Sequence, residues 1–339
     1  MRTKSWLLLL AMGLLLGGCA GVQTAGEDSQ PAGLGLDKIR QACLDEHVEN
    51  RIAACRKAVR LAPGEWRTEM QLGWLLYRAG RVPEGVAHLR KADRLHPQDA
   101  EINYRLGVAL LKRGDLDSAK RCLERCVTLQ PKRYDALLAL GSLLRRRGKT
   151  QEAIQVLGEA SQLDPGQARA WAQLSLALSR AGKWHEAVAA ARKVVELEPN
   201  DPNARSNLGL FLTNAGQAAD AIEHLEKAVA LDGGNPTAWY NLGLAYTATE
   251  DYERASQAFD FALRFKDDFG QAHHNLAVVL MTLGLCRLSE VHFDRAHQLR
   301  VKSAQVVLDQ FQKLCHPQQS DSTEPLGTGT SKNSSGTGG

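Results

Sequence analysis

At 339 residues the chain is long enough for one large domain or an extended array, and its net charge of +4 is small. That balance excludes a nucleic-acid binder held by charge and a strongly basic membrane surface. Only 6% of the residues are aromatic, while Leu, Ala and Arg are abundant, a mixture that favours helix apart from its 30 glycines.

The chain opens on Arg2 and Lys4, followed by an apolar run from Trp6 to Leu16. That run is well short of the roughly 20 residues a spanning helix needs. A basic start, a short apolar stretch and small residues after it form the layout of a secretory signal. The next residues, Leu16-Gly17-Gly18-Cys19, resemble the bacterial lipobox. The resemblance implies that residues 1–18 are a lipoprotein signal peptide and that Cys19 becomes an acylated N-terminus. The other reading is an ordinary secretory signal with an incidental cysteine. Ala20, where an Asp would favour retention in the inner membrane, leans towards the outer membrane. The expected location is therefore lipid-anchored at the outer membrane, facing the periplasm. Residues 19–35 read as the lipidated cysteine and a flexible tether, which holds the rest of the chain roughly 20–24 Å from the lipid on average.

Residues 36–65 look like a degenerate helix pair, with VENRIAACRKAVRLAP ending on Pro63. A period then sets in. Pro63, Pro97, Pro131, Pro165 and Pro199 fall 34 residues apart. Leu72, Leu106, Leu140, Leu174, Leu208, Leu242 and Leu276 keep the same step, each followed by a glycine or another small residue. Gly80, Gly114, Gly148, Gly182, Gly216 and Gly284 form a further series, broken only by Glu250, and Ala119, Ala153, Ala187, Ala221 and Ala255 another. A fixed step of this kind marks one supersecondary unit repeated, each burying its apolar side on the next.

The pattern resembles the tetratricopeptide repeat (TPR), a helix–turn–helix unit, over seven units: 66–99, 100–133, 134–167, 168–201, 202–235, 236–269 and 270–303. The resemblance implies an all-α fold, a superhelical solenoid of antiparallel helix pairs. Each column has a physical role: small residues let the two helices cross closely, glycine ends the first helix, and proline stops the second. Residues 303–315 are expected to form a C-terminal capping helix, and the polar tail 316–339 to be disordered. Cysteine spacing fits no metal site. Cys43–Cys55 and Cys286–Cys315 could bridge neighbouring helices in an exported chain, whereas Cys122 and Cys126, one turn apart, read as small buried side chains.

In the TPR family, positions 2, 5, 6, 9, 12 and 13 of each unit face a concave groove in which peptides or helices lie. Position 6 is Asn207, Asn241 and Asn275 in the last three units. Such amides either clamp a peptide backbone, similar to the asparagine ladder in the TPR portion of O-GlcNAc transferases, or bond a neighbouring helix. Position 13 is Arg78, Lys112, Arg146 and Arg180 in the first four units, and Arg105, Arg145 and Arg169 add charge nearby. These cations either attract an acidic segment or favour the helix dipole and stay wet. Trp74, Tyr77, Tyr104 and Tyr240 are the aromatic groove candidates. Trp171, Trp184, Trp239 and Tyr252 are expected between helices.

His273 and His274 are adjacent on a helix, so their rings point to different faces and cannot share one metal. His185, His224 and His292 read as surface residues. The sequence lacks G-x-S-x-G, H-E-x-x-H and phosphate-loop motifs, and nothing resembling a glycosyltransferase follows residue 315. No enzyme activity, cofactor, metal or nucleic acid is expected. The expected function is a membrane-anchored TPR scaffold that binds peptide segments of other cell-envelope proteins to organise or assemble a complex. Two alternatives stay open: a pilotin-like assembly factor for a type IV pilus or secretion-system secretin, and an accessory subunit of a glycosyltransferase or peptidoglycan enzyme. Homodimerisation through end helices also stays open.

Overall fold

The computed structural model describes residues 37–39, 41, 43, 51–301 and 315. The signal peptide, Cys19, the tether, parts of the opening helix pair, the capping helix apart from Cys315, and the tail lie outside the described residues. The fold is an all-α TPR solenoid. After a few helical residues at 37–43 come α1 (Arg51–Leu61), α2 (Trp66–Arg78), α3 (Val82–Leu95), α4 (Ala100–Arg113), α5 (Leu116–Leu129), α6 (Tyr134–Arg146), α7 (Thr150–Leu163) and α8 (Ala168–Arg180). They continue as α9 (Trp184–Leu197), α10 (Pro202–Asn214), α11 (Ala218–Leu231), α12 (Pro236–Ala248), α13 (Tyr252–Phe265), α14 (Gly270–Thr282) and α15 (Cys286–Gln298). Among the described residues there is no strand, and no helix is long and apolar enough to cross a membrane.

The chain divides into two compact units, residues 1–96 and 97–339. In the first, α2 packs against both α1 and α3. A Cys43–Cys55 disulfide joins the start of this unit to α1. Glu69 on α2 is fully buried, where it meets His88 Nδ1 at 2.7 Å and the Lys91 ammonium.

The second unit stacks six helix pairs, α4/α5 to α14/α15. Each first helix packs on its own second helix, and each second helix on the next first helix. In addition α4 meets α6, α6 meets α8, and α10 meets α12, so first helices form one wall. The small columns explain how the helices come so close. Ala119, Ala153, Ala187, Ala221 and Ala255 are all fully buried. At Gly243 a Cβ would come 2.6 Å from Phe259 Cε1, so only glycine admits that crossing. The turn after α4 needs φ of +88° at Gly114, and Glu250 adopts +62° at the equivalent place after α12.

One recurring bond ties five of the six pairs to the corner before them, the exception being α6/α7, where Leu137 takes the place. The fourth side chain of a first helix donates to the carbonyl six residues earlier: Asn103 Nδ2 to Pro97 at 3.2 Å, Trp171 Nε1 to Pro165 at 3.0 Å, Arg205 Nε to Pro199 at 2.7 Å and Trp239 Nε1 to Gly233 at 2.8 Å. His273 Nε2 stands 3.0 Å from the Asp267 carbonyl in the same way. The side chains differ, but each brings an N–H to a carbonyl that proline or a turn leaves without a helical donor. A second disulfide, Cys286–Cys315, ties α15 to Cys315, and Cys122 and Cys126 are buried thiols outside any disulfide.

Candidate functional site

The three asparagines do not share one environment. Asn241 is buried, and its Nδ2 donates to Ser206 Oγ at 3.1 Å. Asn275 Nδ2 donates to the Tyr240 hydroxyl at 3.0 Å. At these two positions the bond to a neighbouring helix, not a free backbone clamp, is what the geometry gives. The reason lies one unit back: position 6 reaches position 5 of the preceding first helix, which is Ser206 or Tyr240. For Asn207 that neighbour is Ala172, which has no polar group, and among the described residues the Asn207 side chain makes no hydrogen bond.

The cations divide as well. In the first unit Arg78 is exposed at the end of α2, where Trp74 stacks on Tyr77 with centroids 4.8 Å apart. In the second unit Lys112 is exposed in the last turn of α4, where a cation suits the helix dipole. Arg105 pairs with Glu101, and Arg133 reaches the same carboxylate at 2.6 Å while its guanidinium covers the Tyr104 ring at 4.3 Å. Burial works to raise the Glu101 carboxyl, and the two arginines outweigh it, so it titrates below its usual range. This cluster is satisfied internally.

Arg145, Arg146 and Arg180 are different. Arg145 Nε donates to Gln173 Oε1 at 3.0 Å, and Arg180 Nη1 donates to the Arg145 carbonyl at 2.9 Å. Among the described residues no carboxylate stands within ion-pair distance of any of the three. Burial, then Arg180, then Arg146, hold the Arg145 guanidinium below its ordinary pKa. The three cations lie together at the ends of α6 and α8, and the recorded hydrogen-bond partners of Arg145 and Arg180 are neutral.

A hollow of about 220 Å³ opens between α8 and α10, lined on the wall side by Arg169 and Asn207. Its origin is an exchange of two columns. Elsewhere a Gly on the first helix faces a large side chain on the second: Gly107 against Leu123, Gly141 against Leu157, Gly209 against Leu225, Gly243 against Phe259. In this unit Ser175 faces Ala191. Ala172 is likewise smaller than its counterparts Tyr104, Leu138 and Tyr240. Residue counting by the glycine column alone marks Ser175 as a missing beat. The Leu-to-Ala exchange at position 191 was the signal for the hollow.

Tyr240 is half-buried between Phe259 and Phe269, and burial pushes its hydroxyl pKa up. It is a packing residue that accepts from Asn275. Trp171, Trp184, Trp239 and Tyr252 are half-buried, with Trp239 stacked on Phe261 at 4.6 Å. His185 is exposed, but His224 and His292 are half-buried, not surface residues. His292 Nδ1 lies 2.9 Å from Nδ1 of the buried His273, because both project into the crossing of α14 and α15.

The sequence model of the family described as Cilia and flagella-associated protein 70 C-terminal domain matches residues 37–274. No curated protein matches the sequence. Among solved structures, the crystal structure of the APC/C hetero-tetramer Cut9–Hcn1 is similar with a TM-score of 0.53 and 19% identity, over 83% of this chain and 56% of that one. The chain thus spans little more than half the length of that relative. A tetratricopeptide repeat protein from Parabacteroides merdae ATCC 43184 matches with a TM-score of 0.51 and 16% identity, over 73% of this chain and 100% of that one. MamA from Desulfovibrio magneticus RS-1 has 24% identity and a TM-score of 0.47, over 50% of this chain and 96% of that one. At such identities the likeness shows the fold alone.

Proposed function

This chain belongs to the family of the Cilia and flagella-associated protein 70 C-terminal domain, and on that premise we propose that it is a membrane-anchored scaffold for another cell-envelope protein. It binds an acidic polypeptide segment of that partner against the first helices of its second unit, and so brings the partner to the membrane surface. The observation that carries the acidic preference is the Arg145, Arg146 and Arg180 cluster, in which Arg145 has an amide partner, Arg180 a carbonyl partner, and none of the three a carboxylate among the described residues. The anchor reading rests on the lipobox-like leader and Cys19.

A peptide carboxylate placed between these guanidiniums replaces cation–cation repulsion with charge-assisted bonds, each worth about 1.5–3 kcal/mol. The test is capture of partners from detergent-solubilised envelopes by the full chain and by the triple variant Arg145→Gln, Arg146→Gln, Arg180→Gln. The reading predicts that capture falls at least about tenfold while the helical melting curve changes little, since Arg146 and Arg180 are exposed and Arg145 is only half-buried. Capture at full strength by the variant would overturn it. Cys19→Ser is expected to move the protein from the membrane fraction to the soluble fraction. Persistent membrane association would remove the anchor.

A further inference from the structure

We infer that the hollow beside Ser175 and Ala191 is the specificity pocket of this scaffold, and that it takes one branched aliphatic side chain of the acidic partner segment. The inference rests on the acidic-segment reading above and adds what else that segment must carry.

The hollow is the space that a leucine fills from within in other units. Leu123, Leu157 and Leu225 are each fully buried against a glycine. A leucine at position 191 would collide with Ser175, because even a Cβ on Gly107 would come 2.8 Å from Leu123 Cγ. The pair Ser175–Ala191 is therefore a compensated exchange, and with Ala172 it leaves a void open to the wall, with apolar sides of Ala168, Val194 and Ala204 and polar side chains around them. Ser175 does not make the floor polar, since its Oγ donates to the Ala172 carbonyl at 2.9 Å. The rim carries Glu198 and Asp201, and Asp201 is engaged as the cap of α10. Glu198 and Asp201 disfavour an acidic side chain there, Arg169 opposes a basic one, and the alanine and valine sides suit a neutral apolar one. Asn207, unspent because its neighbour is Ala172, is placed to bond the backbone of the residue that enters.

Spacing follows from the helix. Arg169 beside the hollow and Arg180 in the cationic seat lie at opposite ends of α8. At about 1.5 Å rise per residue the two sites are separated by roughly 16 Å. An extended chain rising about 3.3 Å per residue crosses that gap in roughly five residues. The segment should thus read as acidic residues with a leucine, isoleucine or valine about five positions away.

The test is selection from a phage-displayed library of random peptides on four full-length proteins. They are the wild type, the double variant Ser175→Gly with Ala191→Leu, the single variant Ala172→Leu, and the double variant Arg145→Gln with Arg180→Gln. The first variant restores the Gly–Leu pair of other units, so it fills the hollow without a foreign packing arrangement. Ala172→Leu, which introduces the residue found at Leu138, narrows the same void independently. The wild type is expected to select peptides that combine acidic residues with the spaced aliphatic one. On the filled variants the aliphatic preference should vanish, and wild-type peptides should bind at least about tenfold more weakly. On the arginine variant the acidic preference should vanish while the aliphatic one persists. Acidic peptides with no aliphatic preference on the wild type overturn the pocket and leave the scaffold reading intact. A wild-type selection without acidic residues overturns the scaffold reading itself.

Discussion

At the scale of single residues, the chain departs from its own repeat in places that can be weighed. Glu250 holds φ of +62° where Gly80, Gly114, Gly148, Gly182, Gly216 and Gly284 hold positive φ elsewhere. A side chain in that conformation costs about 1 kcal/mol relative to glycine. Glu250→Gly should therefore raise stability by about 1 kcal/mol, seen as a higher melting temperature. A lower one would mean that the glutamate makes a compensating contact. The glycine, alanine and proline columns made the fold legible because close crossings and corners demand particular residues. The asparagine column was legible as a column but not as a set of contacts. What each amide does depends on Ser206, Tyr240 or Ala172, residues 35 positions earlier that share no type.

Between helices, the bond from position 4 to the preceding corner is spread over Asn103, Trp171, Arg205, Trp239 and His273. Residue type hides it, whereas N–H chemistry reveals it. The same crossing produces the His273–His292 pair, in which His292 had read as a surface residue. Burial, reinforced by His273, lowers the His292 pKa against the opposing pull of Asp260, and burial lowers those of His224 and His274. The native state thus binds protons less readily than the unfolded chain below the ordinary histidine pKa of about 6.5. Stability is then full above that pH and falls as pH drops below it. Protection of the α14 and α15 amides, taken relative to intrinsic exchange at each pH, should fall over this window in the wild type and less so in His292→Gln. Protection that stays constant with pH in the wild type would contradict this.

Across the whole molecule, the sequence supplied the repeat and its cationic column, but not which cations are spent. Arg105 and Arg145, at different positions of their repeats, both read in sequence as added groove charge, yet Glu101 neutralises the first and Gln173 meets the second. Partner binding governed by the second kind should weaken as salt rises through the range where the screening length is about 10 Å or less. The most direct measurement replaces Ser142, on α6 beside the cationic seat, or Glu159, on the exposed face of α7, with a photo-crosslinking phenylalanine in living cells. An envelope-protein adduct is expected from position 142, lost in the Arg145→Gln, Arg180→Gln background, and none from position 159. An adduct from 159 with none from 142 would contradict partner binding along the wall of first helices.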